Sequence, residues 1–145
     1  MARAARWADG YAGFISERVS EPDRALGFLT ADAQRIRAAW QEAGRAEPPY
    51  LSTSCFYGLG PGARERLAAV GASYRRNRNE AVAGAQFWIS DEAAVRHVVK
   101  VARTAGYNRL IFIPTNDDIG ELDRLIAVLE EVGGVSPGGQ ERPAP

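Results

Sequence analysis

The chain holds one cysteine, one methionine, one histidine and one lysine among its 145 residues. The single cysteine, Cys55, excludes an internal disulfide and says little about compartment. The lone histidine, His97, has no cysteine or acidic residue at metal-ligand spacing, so a half-exposed helix histidine is the better reading than a ligand or a catalytic base. Neither sign of charge is in excess: 18 basic residues face 18 acidic ones, a formal net charge of +0. No global field therefore draws the chain to nucleic acid or to an anionic membrane surface. Seventeen of the 18 basic residues are arginine, which together with the many alanines reads as composition bias rather than as a phosphate-binding device. No apolar run approaches the roughly 20 residues of a membrane helix, and nothing at Met1 resembles a signal peptide, so a cytoplasmic protein is expected.

What is present is ordinary for a globular domain: 46% hydrophobic and 25% charged residues, in a length that suits one core. The strongest local signal is Leu110 to Ile113, a short unbroken apolar run that predicts a strand buried on both faces of a parallel sheet. A helix capped by Ser90 precedes it, with Val95, Val98, Val99 and Ala102 on one face and Gly106 at its end. A second helix follows, with N-caps available from Asn116, Asp117 and Asp118 and an apolar face of Leu122, Leu125, Ile126 and Leu129. Asp118 and Glu121 have the spacing of a capping box, and Gly133 closes the helix.

Upstream, Met1 to Ala8 has helical composition but barely two turns, and Tyr11 to Ile15 reads as a strand carrying a glycine. Ser16 to Gly27 is polar, and Pro22 marks it as a loop. Thr30 can cap a helix whose Ala33, Ile36, Trp40 and Ala43 share a face. Tyr50 to Tyr57 predicts a second, more polar strand. Pro61 fits the first position of the next helix, with Ala63, Leu67, Val70 and Tyr74 on one side. Arg75 to Glu80 is a polar connector and Ala81 to Ile89 an ambiguous apolar patch. Residues 1–132 form the domain, and 133–145 read as a disordered tail. Strands alternating with helices predict an α/β fold with a parallel sheet, and three strands alone would leave two open edges.

Gly58-Leu59-Gly60-Pro61-Gly62-Ala63 satisfies the dinucleotide pattern G-x-G-x-x-G/A between a strand and a helix. Pro61 removes one N–H donor, the preceding strand is polar, and Glu80 sits in a connector instead of ending a second strand, so a helix-starting turn is the better reading. Cys55 lacks a base nearby in sequence and reads as a packed side chain. Arg75, Arg76 and Arg78 with Tyr74 read as a solvated connector, and Asp117-Asp118 as helix caps. In parallel α/β proteins, sites gather at the carboxyl ends of the strands, here Ser16, Gly58 and Pro114-Thr115-Asn116. None of these is a catalytic constellation.

Arg3-Ala4-Ala5-Arg6-Trp7-Ala8-Asp9-Gly10-Tyr11 resembles the R-x-A-R-x-A-D-G-aromatic stretch of luciferase-like flavin-dependent monooxygenases. Ala43-Gly44-Arg45, the strand running into Tyr57-Gly58-Leu59-Gly60, and the Tyr74 region are similar to the same family. Ala105 to Thr115 resembles its final barrel strand, and Asp118 to Leu129 its last helix. The likeness covers Ala2 to about Val132 and implies roughly the last three strand–helix units of a (β/α)8 TIM barrel. It implies a C-terminal segment of a cytoplasmic flavoprotein, an oxidoreductase or monooxygenase that acts on a small organic substrate and is not active alone. FMN is the implied cofactor, with a deazaflavin as the alternative. The matched rim positions are Asp9, Gly10 and Tyr11 on one strand and Pro114 with Thr115 on the last, and none is expected to be catalytic. Beyond the substrate, the expected partner is a second copy or a chain supplying the missing strands, with neither nucleic acid nor membrane involved. Two other readings are a non-catalytic α/β module that self-associates, and a nucleotide binder using the Gly58–Ala63 turn.

Overall fold

The computed structural model describes residues 2–15, 22–77 and 89–133. A single turn of helix, α1 (Ala2–Ala5), leads into strand β1 (Gly10–Phe14). Helix α2 (Pro22–Glu42), strand β2 (Tyr50–Tyr57), helices α3 (Ala63–Asn77) and α4 (Glu92–Thr104), strand β3 (Arg109–Pro114) and helix α5 (Ile119–Glu131) follow in order. The three strands form one parallel sheet in the order β1-β2-β3, with Gly10 beside Tyr50 and Ser52 beside Arg109. The expected α/β class and parallel sheet are therefore present.

Alternation along β2 divides the sheet into two unlike faces. Leu51, Cys55 and Tyr57, with Leu110 and Phe112 of β3, lie under α1, α2, α4 and α5 in two adjoining clusters that hold Leu29, Ile36, Trp40, Val95, Val98, Leu125 and Val128. Each large apolar side chain fully buried there contributes about 1.5–3 kcal/mol relative to exposure. Among the described residues, the opposite face is covered only toward its carboxyl end, where Leu67 and Val70 of α3 meet Phe14, Phe56 and Ile113. Nearer the amino end of that face, Tyr50 is 52% exposed and Ile111 41% exposed.

Burial reverses the expected ranking of the strands. β3, expected to be buried on both faces, lies at a sheet edge among the described strands, and its Ile111 is open to solvent. The more polar β2 is central. Its hydroxyls suit that place, because Ser54 Oγ donates to the Gly13 carbonyl oxygen at 3.3 Å. Gly10 admits the β1–β2 contact, since a Cβ there would overlap the Tyr50 carbonyl. The close approach that glycine allows is thus met by the neighbouring strand.

Several helix boundaries also differ from expectation. α2 begins at Pro22, not at Thr30, because a proline is tolerated in the first turn, and Ala25 and Leu29 continue the buried stripe of Ala33, Ile36 and Trp40 upstream. Only part of the expected Ser16–Gly27 loop is thereby helical, and 16–21 lies outside the described residues. Asp91, not Ser90, caps α4, being extended at φ −154° and accepting from the Ala94 N–H at 2.8 Å. Pro61 lies in the turn before α3, which starts at Ala63 and continues through Asn77 into the expected connector. The Tyr74 side chain, 78–88 and the expected tail from 134 onward lie outside the described residues. Gly133 follows α5 with φ 64°.

On α5 the expected capping box does not close. Asp118 caps Gly120 N–H at 2.9 Å, while Glu121 turns inward and is 1% exposed. The buried stripe is Glu121, Leu125 and Val128, so Leu122 and Ile126 of the expected apolar face are left exposed together with Ile119. No helix among the described residues is long and apolar enough to cross a membrane.

Candidate functional site

Parallel pairing brings the segments after β2 and β3 to one rim, since Tyr57 lies beside Pro114. Gly58 follows Tyr57, and its N–H donates to the Ile89 carbonyl at 2.9 Å. Thr115 follows Pro114, and a Cβ on Gly58 would lie 3.3 Å from the Thr115 hydroxyl oxygen. Glu121 reaches this corner from the first turn of α5. Its Oε1 accepts from the Leu59 N–H and, at 2.9 Å, from Arg66 Nη2 of α3.

One carboxylate thus ties three segments together: the turn after β2, the start of α3 and the start of α5. Arg66 reinforces the turn by donating to the Pro61 carbonyl at 2.7 Å and the Leu59 carbonyl at 3.2 Å. Tyr57 packs edge-on to Phe112 with ring centroids 5.9 Å apart. Burial first, and then the Glu121 charge, push the Tyr57 phenol above its ordinary range. Three buried polar atoms in this cluster have no partner among the described residues: Thr115 Oγ1, Glu121 Oε2 and Arg66 Nε. Buried polar atoms are nearly always hydrogen-bonded, which makes three in one corner the most distinctive polar feature of the fold. The cluster offers an acceptor, a hydroxyl and a cationic donor. It contains no cysteine or histidine, and among the described residues no group of three or more metal-ligating side chains occurs.

The sequence-derived positions do not converge. Pro114 and Thr115 belong to this rim. Gly10 and Tyr11 start β1 and sit beside Tyr50 and Leu51, at the amino end of the sheet. Tyr57 is seven positions beyond Tyr50, so at about 3.3 Å per residue roughly 20 Å of strand separates the two pairs. Asp9 belongs with Gly10, near Arg45, whose guanidinium lies 3.5 Å from its carboxylate and donates to the Ala8 carbonyl at 3.0 Å. Ser16 and Glu80 lie outside the described residues.

Cys55 is buried, and desolvation alone pushes its thiol far above the ordinary range, as a packed side chain requires. His97 is half-buried on α4. In the Gly58–Ala63 turn the Gly60 and Gly62 N–H groups have no partner among the described residues. The Gly58, Leu59 and Ala63 N–H groups are engaged by Ile89, Glu121 and Gly60, and Pro61 has none.

Sequence reasoning missed the roles of Glu121, Arg66 and Asp32. Glu121 carried a readable signal, because it lies four and seven residues before Leu125 and Val128, within the stripe that becomes buried. Asp32 is a second buried carboxylate, paired with Arg35 and accepting from the Tyr107 hydroxyl at 3.3 Å. Burial and then Asp32 raise the Tyr107 phenol, and nothing local in the sequence links residues so far apart. No family model matches this chain, and no curated protein matches it either.

Proposed function

We propose that this chain is the C-terminal part of a luciferase-like flavin-dependent oxidoreductase or monooxygenase, acting on a small organic substrate and inactive without the remaining strands of a (β/α)8 barrel. The observation that carries the reading is the winding of the sheet. Its order follows the chain, β1-β2-β3, and α2, α4 and α5 pack on one face. A doubly wound sheet reverses its strand order and covers both faces with crossover helices, whereas a barrel runs sequentially with its helices outside. The partly open face, with Ser52, Ser54 and Ile111, corresponds on this reading to the barrel interior, and α3, which packs Leu67 and Val70 on the carboxyl end of that face, to an extra helix at the barrel mouth. Ile119, Leu122 and Ile126 give α5 a second, exposed apolar stripe that a neighbouring barrel helix would cover.

FMN, or a deazaflavin in its place, would supply the redox chemistry. Of the four positions matched by resemblance, Thr115 fits a cofactor contact, with a buried hydroxyl that lacks a partner, and Pro114 places it. Gly10 and Tyr11 do not fit the same group, because they lie at the other end of the sheet. Within this reading Thr115 orients the bound group, and Glu121 with Arg66 holds the turn that flanks it.

The test is co-expression with a polypeptide carrying the earlier strand–helix units of such a barrel. A stable complex that binds FMN, with no flavin-dependent turnover by this chain alone, is expected. Turnover by the chain alone, or no association and no flavin retention, would reject the reading. The exposed Ile111 and the α5 stripe also favour a second reading, a non-catalytic module that pairs with its own copy. A concentration-dependent dimer without flavin affinity would select it.

A further inference from the structure

Beside the Glu121 cluster lies a separate open cavity of about 720 Å³ between the turn after β2 and the first turns of α4 and α5. Gly60, Pro61, Asp91, Glu92, Arg96 and Arg124 are among the residues that line it. Most of its charge is already engaged. Asp91 accepts from Ala94 N–H at 2.8 Å, and Arg96 donates to Glu131 at 2.7 Å and to Glu92 at 3.4 Å. Arg124 makes no hydrogen bond or ion pair with any described residue. The acceptors of the adjoining turn are also occupied: Arg66 takes the Leu59 and Pro61 carbonyls, and Ala63 N–H takes that of Gly60 at 3.3 Å. The Gly60 N–H has no partner among the described residues. Gly60 has φ 80°, and a Cβ there would collide with Arg124 Nη1, so the guanidinium lies directly against bare backbone.

We infer that Arg124 and the Gly60 turn form a binding site for a phosphate monoester. A guanidinium beside a free backbone N–H is the donor set that phosphate oxygens take. The site suits one phosphoryl group, because Gly60 alone of the turn's glycines lies against Arg124, while the Gly58, Leu59 and Ala63 N–H groups are engaged and Pro61 has none. The cavity volume lies in the range of small-molecule sites and leaves room for the organic part of the ester. The inference does not depend on the flavin reading, although FMN is itself a phosphate monoester.

The purified full chain is titrated at constant ionic strength with inorganic phosphate, followed by thermal unfolding, and with FMN and riboflavin, followed by flavin fluorescence. Arg124→Gln and Arg124→Lys are measured beside it. Arg124 is exposed, so both variants should keep the parent's circular dichroism. Saturable stabilisation by phosphate is expected, weakened about tenfold in Arg124→Gln and less in Arg124→Lys, which keeps the charge but not the fork. Phosphate that fails to saturate, or acts equally on parent and Arg124→Gln, overturns the site. Riboflavin binding as tightly as FMN also overturns it while leaving the flavin reading intact. Phosphate binding without flavin binding supports the site and counts against flavin binding by this chain.

Discussion

Asn108 shows how much a single polar side chain can decide. Its Oδ1 accepts from the Leu51 N–H at 2.8 Å, and its own N–H donates to the Leu51 carbonyl at the same distance. This pair fixes the register of β2 against β3 one residue before the ladder begins. Asn108→Ala should cost about 1–3 kcal/mol, because the N–H of a fully buried leucine would lose its acceptor. Urea denaturation measures the loss, and a change within a few tenths would contradict the role. Trp40 is the contrasting case, since its buried indole N–H already lacks a partner among the described residues. Trp40→Phe should therefore lose no hydrogen bond, and its cost in urea denaturation should be only the packing lost where the smaller ring leaves a void.

At the scale of elements, the Glu121–Arg66 contact joins α5, α3 and the turn after β2. Glu121→Ala should destabilise by about 3 kcal/mol, because it strands the partly buried Arg66 and leaves the Leu59 N–H without an acceptor. Glu121→Gln should cost less, since an amide oxygen can still accept from Leu59. Equal losses in the two variants would show that charge, and not the hydrogen bond to the turn, matters most. Glu121 also illustrates what was legible in sequence. β2 agrees with its aromatic and hydroxyl pattern, and α4 with its valine periodicity, because both signals are local. The start of α2 was hidden because proline both breaks helices and begins them. The edge position of β3 was hidden because an apolar run specifies contacts on its faces but not which strands flank it. The polar corner of Thr115, Glu121 and Arg66 was hidden for a further reason: a carboxylate three residues after Asp118 satisfies a capping pattern equally well.

Across the whole molecule, Cys55, Tyr57 and Tyr107 share one electrostatic property. Each is held in its neutral form by burial, with its pKa raised from ordinary values of 9.0 for the thiol and 10.0 for the phenols. A raised pKa in the folded state means that the unfolded chain loses its proton first as pH rises. The associated stability is complete below about pH 9 and declines above it. The urea midpoint should stay level with respect to these groups up to about pH 8.5 and then fall. Cys55→Ala should remove the earliest part of the decline, and an unchanged alkaline profile in that variant would contradict the assignment. Native Cys55 should also resist alkylation until the chain unfolds.

The parallel sheet has a kinetic consequence as well. Ser52 meets the Tyr11 carbonyl across 41 positions of chain, and Leu51 meets Asn108 across 57. No ladder bond can form until loops of that size have closed, whereas each helix needs only its own neighbours. Helices should therefore appear well before the sheet in stopped-flow refolding, and the interval between the two phases is when the chain is most exposed to misassembly.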